Sequence, residues 1–184
     1  IYRDVRAIKE ARLAYQQAAL ILEKTSDLSL DIYLTLANAV LERLAENFNA
    51  SQKLIASAMD KVEKSGSKYE QNLCLLEQHA LNLHTGSTDQ LEQAFREIEE
   101  YFIAAGFQLE SFKASVFKAL LDLQKNPNLA HNNTLYNVIQ NKNQDGKFST
   151  LIQIGMEFKD TLELVSNEQS IISIDSWIKS VKKF

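Results

Sequence analysis

The sequence is poor in the residues that interrupt helices, since its 184 positions include five glycines and one proline. Both residues are costly inside a helix and are used mainly in turns. Hydrophobic residues make up 45% of the chain and charged residues 24%, which is the balance of a globular protein rather than a disordered one. Together these features predict an all-α chain with a substantial hydrophobic core.

Cysteine and long apolar runs are also scarce. Cys74 is the only cysteine, which excludes a disulfide within the chain and favours a reducing compartment. No run of about 18 apolar residues occurs that could span a bilayer, and the charged start of the chain lacks the apolar stretch of a signal peptide. We therefore expect a cytoplasmic protein. Delivery into a host cell and peripheral contact with a membrane are both compatible with this expectation.

Positive charge is in deficit, with 20 lysines and arginines against 24 acids and a net charge of -4. Proteins that bind nucleic acids gather lysine and arginine to neutralise phosphates. The charge balance therefore predicts no nucleic-acid partner.

Motifs of catalysis and metal binding are missing as well. The sequence has no Gly-x-Ser-x-Gly elbow and no glycine-rich phosphate loop. Cys74 lies among leucines, where a thiol is typically a core residue with a raised pKa. His79 is five residues from both Cys74 and His84, a spacing that does not align side chains for a metal. We expect a protein that is not an enzyme and has no cofactor or metal; an active site assembled from distant residues is the least favoured alternative.

Apolar residues recur at three- and four-residue intervals, which is the spacing of one helix face. The predicted inward stripes are Ile8, Tyr15, Ala19 and Leu22; Ile32, Leu36, Val40 and Leu44; Leu54, Ala58 and Val62; Leu73, Leu76, Ala80 and Leu83; Leu91, Phe95, Ile98 and Phe102; and Leu109, Phe112, Val116, Leu120 and Leu123. We predict a single domain over residues 1–184, a multi-helix bundle of about eight or nine helices joined by short loops.

Helix ends are marked by capping residues and glycines. The segment "TSD" at residues 25–27 predicts a helix start, and Gly66 and Gly86 predict helix ends. The predicted capping pairs are Ser67 with Glu70, Ser87 with Gln90, and Asn49 with Gln52.

An asparagine-rich patch at residues 132–148 follows Pro127, which we take as the best candidate for a subdomain boundary. Its pattern fits a short helix, the Asp145-Gly146 turn and then a longer helix from Phe148 to Val165. The alternative makes "TLYNVIQ" and "KFSTLIQI" two strands of a hairpin about that turn. The sequence leaves open which of the two residues 132–155 adopt.

The strongest charged surface is acidic. From Asp89 to Glu110 the chain has six acids and one base, Arg96. A solvated helix surface explains most of such a run, and Glu92 with Arg96 makes an ordinary i, i+4 pair. The sharper hypothesis is a docking face for a basic protein partner. Its residues are Glu92, Glu97, Glu99 and Glu100.

The C-terminal segment from Ser170 to Phe184 combines three lysines and one aspartate with isoleucines at helical spacing. Such a helix can complete a bundle, or it can lie on an anionic membrane with its tryptophan among the headgroups. The second possibility makes the protein a lipid- or phosphoinositide-binding domain. The residues predicted for that role are Arg3, Arg6, Trp177, Lys179, Lys182 and Lys183.

The favoured function is a non-catalytic helical interaction module that binds a protein through a helix face or groove, with anionic-lipid binding as the alternative. The chain begins at Ile1 without a methionine, which suggests a fragment of a larger protein. Its abundance of asparagine, glutamine, lysine and isoleucine is typical of AT-rich genomes. These include genomes of intracellular bacteria that inject helical effector proteins, so the larger protein is expected to be effector-like.

Overall fold

The computed structural model describes residues 7–86, 88, 90–125, 138 and 147–166. These residues form eight α-helices and no strand, so the prediction of an all-α, multi-helix fold is confirmed. The helices are α1 (Ile8–Leu22), α2 (Leu28–Leu44), α3 (Phe48–Ser65), α4 (Lys68–Thr85), α5 (Leu91–Ala104), α6 (Gln108–Lys125), α7 (Lys147–Glu157) and α8 (Lys159–Ser166).

The chain divides into two compact units, Ile1–Ser87 and Thr88–Phe184. The prediction of a single domain with a boundary near Pro127 stays a prediction, because Pro127 lies outside the described residues. No helix in the described part of the chain is long and apolar enough to cross a membrane.

In the first unit α2 is the central helix, because it contacts α1, α3 and α4. Its predicted stripe of Ile32, Leu36, Val40 and Leu44 is buried throughout. Two apolar clusters join α2 to its neighbours. One contains Ile32, Leu36, Ala58, Val62 and Cys74, and the other contains Ala39, Ile55 and Leu81.

In the second unit α6 occupies the corresponding position, with contacts to α5, α7 and α8. The predicted stripe of α5, from Leu91 to Phe102, is entirely buried, whereas Leu109 at the start of α6 is exposed and does not join the core as predicted. Aromatic rings connect α5 and α6 to the turn between α7 and α8. The ring of Phe117 lies 6.0 Å from that of Phe95 and 6.1 Å from that of Phe158, measured between centroids.

Several helix ends follow the predicted signals. The side chain of Asp27 accepts a hydrogen bond from the backbone N–H of Leu30, and Ser67 does the same for Glu70. Gly66 and Gly86 end α3 and α4 with φ angles of 67° and 75°. Only glycine adopts this left-handed conformation without strain from a Cβ atom.

Two predicted helix starts are wrong. The N-cap of α3 is Asn47, two residues before the predicted Asn49, and its side chain makes no capping hydrogen bond. The N-cap of α5 is Gln90, which was predicted to lie inside the first turn. Capping side chains only assist a helix start, so the packing of the apolar stripe can move it by a residue or more.

Residues 147–157 are helical, which overturns the hairpin alternative for its second strand, "KFSTLIQI". Of the first strand the structure describes only Val138, which is helical and buried. The single helix predicted from Phe148 to Val165 is divided. A turn at Phe158 separates α7 from α8, and this allows Phe158 to be buried beside Phe117.

Candidate functional site

The predicted acidic face lies on α5, where its four residues have different surroundings. Glu97 and Glu100 are exposed. Glu92 is half-exposed, and the side chain of Glu99 is only 19% exposed. The face is therefore divided between outward acids and acids that turn toward α6.

The two acids near α6 form ion pairs with its lysines. Glu99 accepts hydrogen bonds from Lys118 and from the Ser115 hydroxyl. Glu92 lies 3.9 Å from Lys125 and 3.3 Å from Arg96, which confirms the predicted i, i+4 pair. These contacts balance much of the charge of Glu92 and Glu99, so Glu97 and Glu100 are the acids most open to a partner.

A small cleft borders this helix within the second unit. It has a volume of about 240 Å³, and its lining includes Glu99, which is ion-paired with Lys118. The ammonium group of Lys147 lies 5.3 Å from the centre of the Phe112 ring, close enough for a cation–π contact. The lining residues are Glu99, Ile103, Gln108, Ser111, Phe112, Ser115, Val138 and Lys147.

In the first unit, α1 exposes large apolar side chains that the sequence prediction missed. Leu13, Leu20 and Ile21 are 58%, 62% and 65% exposed. The opposite face of α1 packs through small residues, of which Ala11 is buried. A helix at a protein surface usually presents polar side chains to water. The seven-residue step from Leu13 to Leu20, outside the predicted inward stripe, was the sequence signal for this face.

A groove of about 390 Å³ lies between the C-terminal end of α1 and the N-terminal end of α2. Half of its lining is apolar and most of the remainder is acidic. The lining residues are Ala19, Leu22, Glu23, Ser26, Asp27, Leu28, Asp31 and Leu34. Leu20 and the lining residue Glu23, which is the C-cap of α1, are neighbours at i, i+3, so Leu20 lies beside the groove, and Ile21 is about 100° further round the helix. We call the groove together with the exposed side chains of Leu13, Leu20 and Ile21 the α1–α2 surface.

Several ionisable side chains of the first unit are buried in its core and contact other side chains there. Arg43 and Glu77 form a buried ion pair, and Glu70 accepts a hydrogen bond from Ser65. Burial, followed by the charges of Glu77 and Glu70, raises the pKa of Cys74 to about 12. A thiol with this pKa is almost wholly protonated at neutral pH, so the prediction of an unreactive core cysteine is confirmed. Burial lowers the pKa of His79.

The remaining predicted residues fall in two groups. Within the described ranges, no three His, Cys, Asp or Glu side chains are grouped so that they could hold a metal ion. The residues predicted for lipid binding, Arg3, Arg6, Trp177, Lys179, Lys182 and Lys183, lie outside the described residues.

Comparison of the chain with protein-family models, with curated proteins and with solved structures finds no match.

Proposed function

We propose that this chain is a non-catalytic helical interaction module that binds a protein partner through the α1–α2 surface. The observation that carries the proposal is the exposure of Leu13, Leu20 and Ile21 on one helix. Transfer of a leucine or isoleucine side chain out of water stabilises by roughly 1.5–3 kcal/mol. Single exposed leucines are ordinary on protein surfaces, whereas several together beside a groove are typical of a protein-binding surface.

The test compares proteins retained from a lysate by the unaltered chain and by a Leu20→Ser/Ile21→Ser variant. Both side chains are exposed, so their replacement should leave the core intact. The matched control is Ile103→Ser/Leu109→Ser, which removes two exposed apolar side chains from the second unit. We expect the control to retain the same proteins as the unaltered chain and the α1 variant to lose at least one. Identical sets for all three proteins would contradict the proposal.

The acidic residues of α5 remain a second candidate contact for a basic protein partner. Glu97 and Glu100 support it, because both are exposed and their carboxylates are not engaged by the lysines of α6. The variant Glu97→Gln/Glu100→Gln should then release a retained protein more readily than the unaltered chain. If the retained proteins were released at the same salt concentration from the variant and from the unaltered chain, this face would be excluded as a contact.

The alternative function, binding of anionic lipid, is supported by the sequence of the C-terminal segment. Three lysines near an anionic surface contribute about 1 kcal/mol each, and Trp177 suits the headgroup region. Sedimentation with vesicles of phosphatidylcholine containing phosphatidylserine provides the test. A triple change of Lys179, Lys182 and Lys183 to glutamine should abolish sedimentation if the alternative holds. Equal sedimentation of both proteins would refute it.

A further inference from the structure

Half of the residues that line the groove between α1 and α2 are apolar. Ala19 and Leu22 come from the last turns of α1, and Leu28 and Leu34 from the first turns of α2. Its volume of about 390 Å³ is large enough for more than one aliphatic side chain. Because Leu13, Gln17 and Leu20 repeat at four and three residues, they form an exposed stripe that continues from the groove along α1.

The charged residues that the structure describes in the lining of the groove are the acids Glu23, Asp27 and Asp31. Asp31 is paired with Lys61 at 2.8 Å, so the negative charge of the groove comes mainly from Glu23 and Asp27. Asp27 uses Oδ1 to accept the Leu30 N–H, and Asp31 uses Oδ1 to accept from Lys61. Each of these two aspartates thus has a second carboxylate oxygen, and Glu23 is exposed. A positively charged ligand would meet complementary charge here.

An extended stripe together with a groove suits a helix better than a small molecule. A small ligand would fill the groove and leave Leu13 and Leu20 in water. An amphipathic helix can place one apolar side chain in the groove and the next ones, at i+3, i+4 and i+7, along α1. The positions on either side of the partner helix's apolar stripe would then face Glu23, Asp27 and Asp31.

We propose that the α1–α2 surface binds a basic amphipathic helix of a partner protein, with leucine-type side chains in the groove and lysine or arginine opposite its acids. This inference rests on the proposed function, because it specifies the partner of the same surface. It adds the requirement that the partner helix carry positive charge.

The probes for this inference are three fluorescein-labelled peptides of about 18 residues, long enough to cover the face of α1. They share one leucine stripe and differ only in flanking residues, which are lysine, glutamine or glutamate. Binding to the full chain is measured by fluorescence anisotropy at an ionic strength of about 0.01 M, where charges are weakly screened. We expect the lysine peptide to bind most tightly and the glutamate peptide most weakly.

The deciding variant is Glu23→Gln/Asp27→Asn. Asparagine is as good an N-cap as aspartate, so α2 should keep its start. We expect the variant to bind the lysine peptide about two- to thirtyfold more weakly, because it removes two charges and exposed charge pairs contribute roughly 0.2–1 kcal/mol each. Its affinity for the glutamine peptide should not change. The control Asp60→Asn/Glu63→Gln removes the same charge from two exposed positions on α3 and should bind the lysine peptide normally.

Equal affinity for the lysine and glutamine peptides would overturn the charge requirement and leave the proposed function intact. An equal loss of binding in the α3 control would overturn the location in the groove. Absence of binding by all three peptides would overturn the inference as a whole. The proposed function is judged separately by the proteins that the Leu20→Ser/Ile21→Ser variant loses. Circular dichroism of each variant verifies that the helices are retained.

Discussion

Arg43 on α2 and Glu77 on α4 form an ion pair inside the first unit, with Nη2 of the arginine 2.7 Å from Oε2 of the glutamate. Their side chains are only 1% and 7% exposed. Two charges withdrawn from water are costly, and their attraction offsets this cost only while both are present. We therefore expect the pair to specify how α2 and α4 meet more than it adds to stability.

Removal of one member of this pair should be strongly destabilising. We expect Arg43→Met to lower the free energy of unfolding by about 3–5 kcal/mol, because Glu77 keeps its buried charge. The double variant Arg43→Met/Glu77→Leu should recover most of the loss. Urea denaturation followed by circular dichroism measures all three proteins.

The matched control for that experiment is Arg12→Met. Arg12 donates to both carboxylate oxygens of Glu42, at 2.7 and 2.9 Å, but its side chain is 42% exposed. An exposed pair of this kind contributes less than about 1 kcal/mol. If Arg43→Met cost no more than Arg12→Met, the buried pair would not have the structural role described above.

Cys74 should be inert in the folded protein. Its pKa of about 12 lies roughly 3 units above that of an ordinary thiol, so the reactive thiolate is about a thousandfold rarer. Its side chain is also completely buried. We expect no reaction with a chromogenic disulfide reagent at pH 8 in the native state and one thiol per chain in urea. Native labelling at the rate seen in urea would contradict this prediction.

Acidification below pH 6.5 should destabilise the protein through His79. Burial lowers the pKa of His79 in the folded state, whereas the unfolded chain takes up the proton near pH 6.5. Stability from the neutral ring is thus complete above pH 6.5 and declines as pH falls toward the lowered pKa, by at most about 1.4 kcal/mol per pH unit.

The variant His79→Gln isolates this effect from other titrating groups. Its free energy of unfolding should decrease less between pH 6.5 and pH 5 than that of the unaltered chain. Urea titrations at each pH supply the comparison. Parallel curves for the two proteins would show that His79 does not carry the pH dependence.

Asp122 on α6 should be a position where loss of charge stabilises. Burial and, after it, the charge of Glu92 raise its pKa, although Lys118 and Lys125 oppose the shift. The folded state therefore binds a proton more readily than the unfolded chain does, and its stability rises as pH falls through the raised pKa toward 3.8, the ordinary value for aspartate. Asp122→Asn should stabilise at pH 7 by on the order of 0.5 kcal/mol.

A suitable control is Asp60→Asn on α3, where the aspartate is exposed. Thermal unfolding at pH 7 compares both variants with the unaltered chain. A lower melting temperature for Asp122→Asn would show that attraction to the charges of Lys118 and Lys125 outweighs burial and repulsion.

The helices and much of the core could be predicted because both depend on local spacing. Leu91, Phe95, Ile98 and Phe102 are buried as the three- and four-residue intervals indicate. The cap at Asp27 follows from a hydrogen bond within one turn. Such interactions join residues close in sequence, so the sequence alone contains the information.

The sequence predictions fail where contacts with a neighbouring helix determine whether a residue is buried or where a helix ends. Leu109 continues the apolar stripe of α6, yet it is exposed because no helix in the described part of the chain covers that end. The turn at Phe158 interrupts an unbroken helical pattern. At that turn the ring of Phe158 packs against Phe117 of α6, a contact between segments that the local pattern does not specify.

For the candidate binding surfaces, too, the sequence predicts some of the residues, whereas the tertiary structure determines their surroundings. The sequence identified the acids of α5, but only the tertiary structure placed Glu99 beside Lys118 and left Glu100 outward. On α1 the sequence predicted an inward stripe of Ile8, Tyr15, Ala19 and Leu22, whereas packing leaves these four residues half-buried, buries Ala11 and exposes Leu20 and Ile21.

The sequence by itself determined that this protein is all-α, because the period of its apolar residues is a property of each segment alone. Tertiary structure decided which charges are paired, which apolar side chains remain exposed and where a groove opens. These outcomes depend on contacts such as that between Arg43 and Glu77, which are 34 residues apart. No local pattern specifies the partner of a side chain across such a separation.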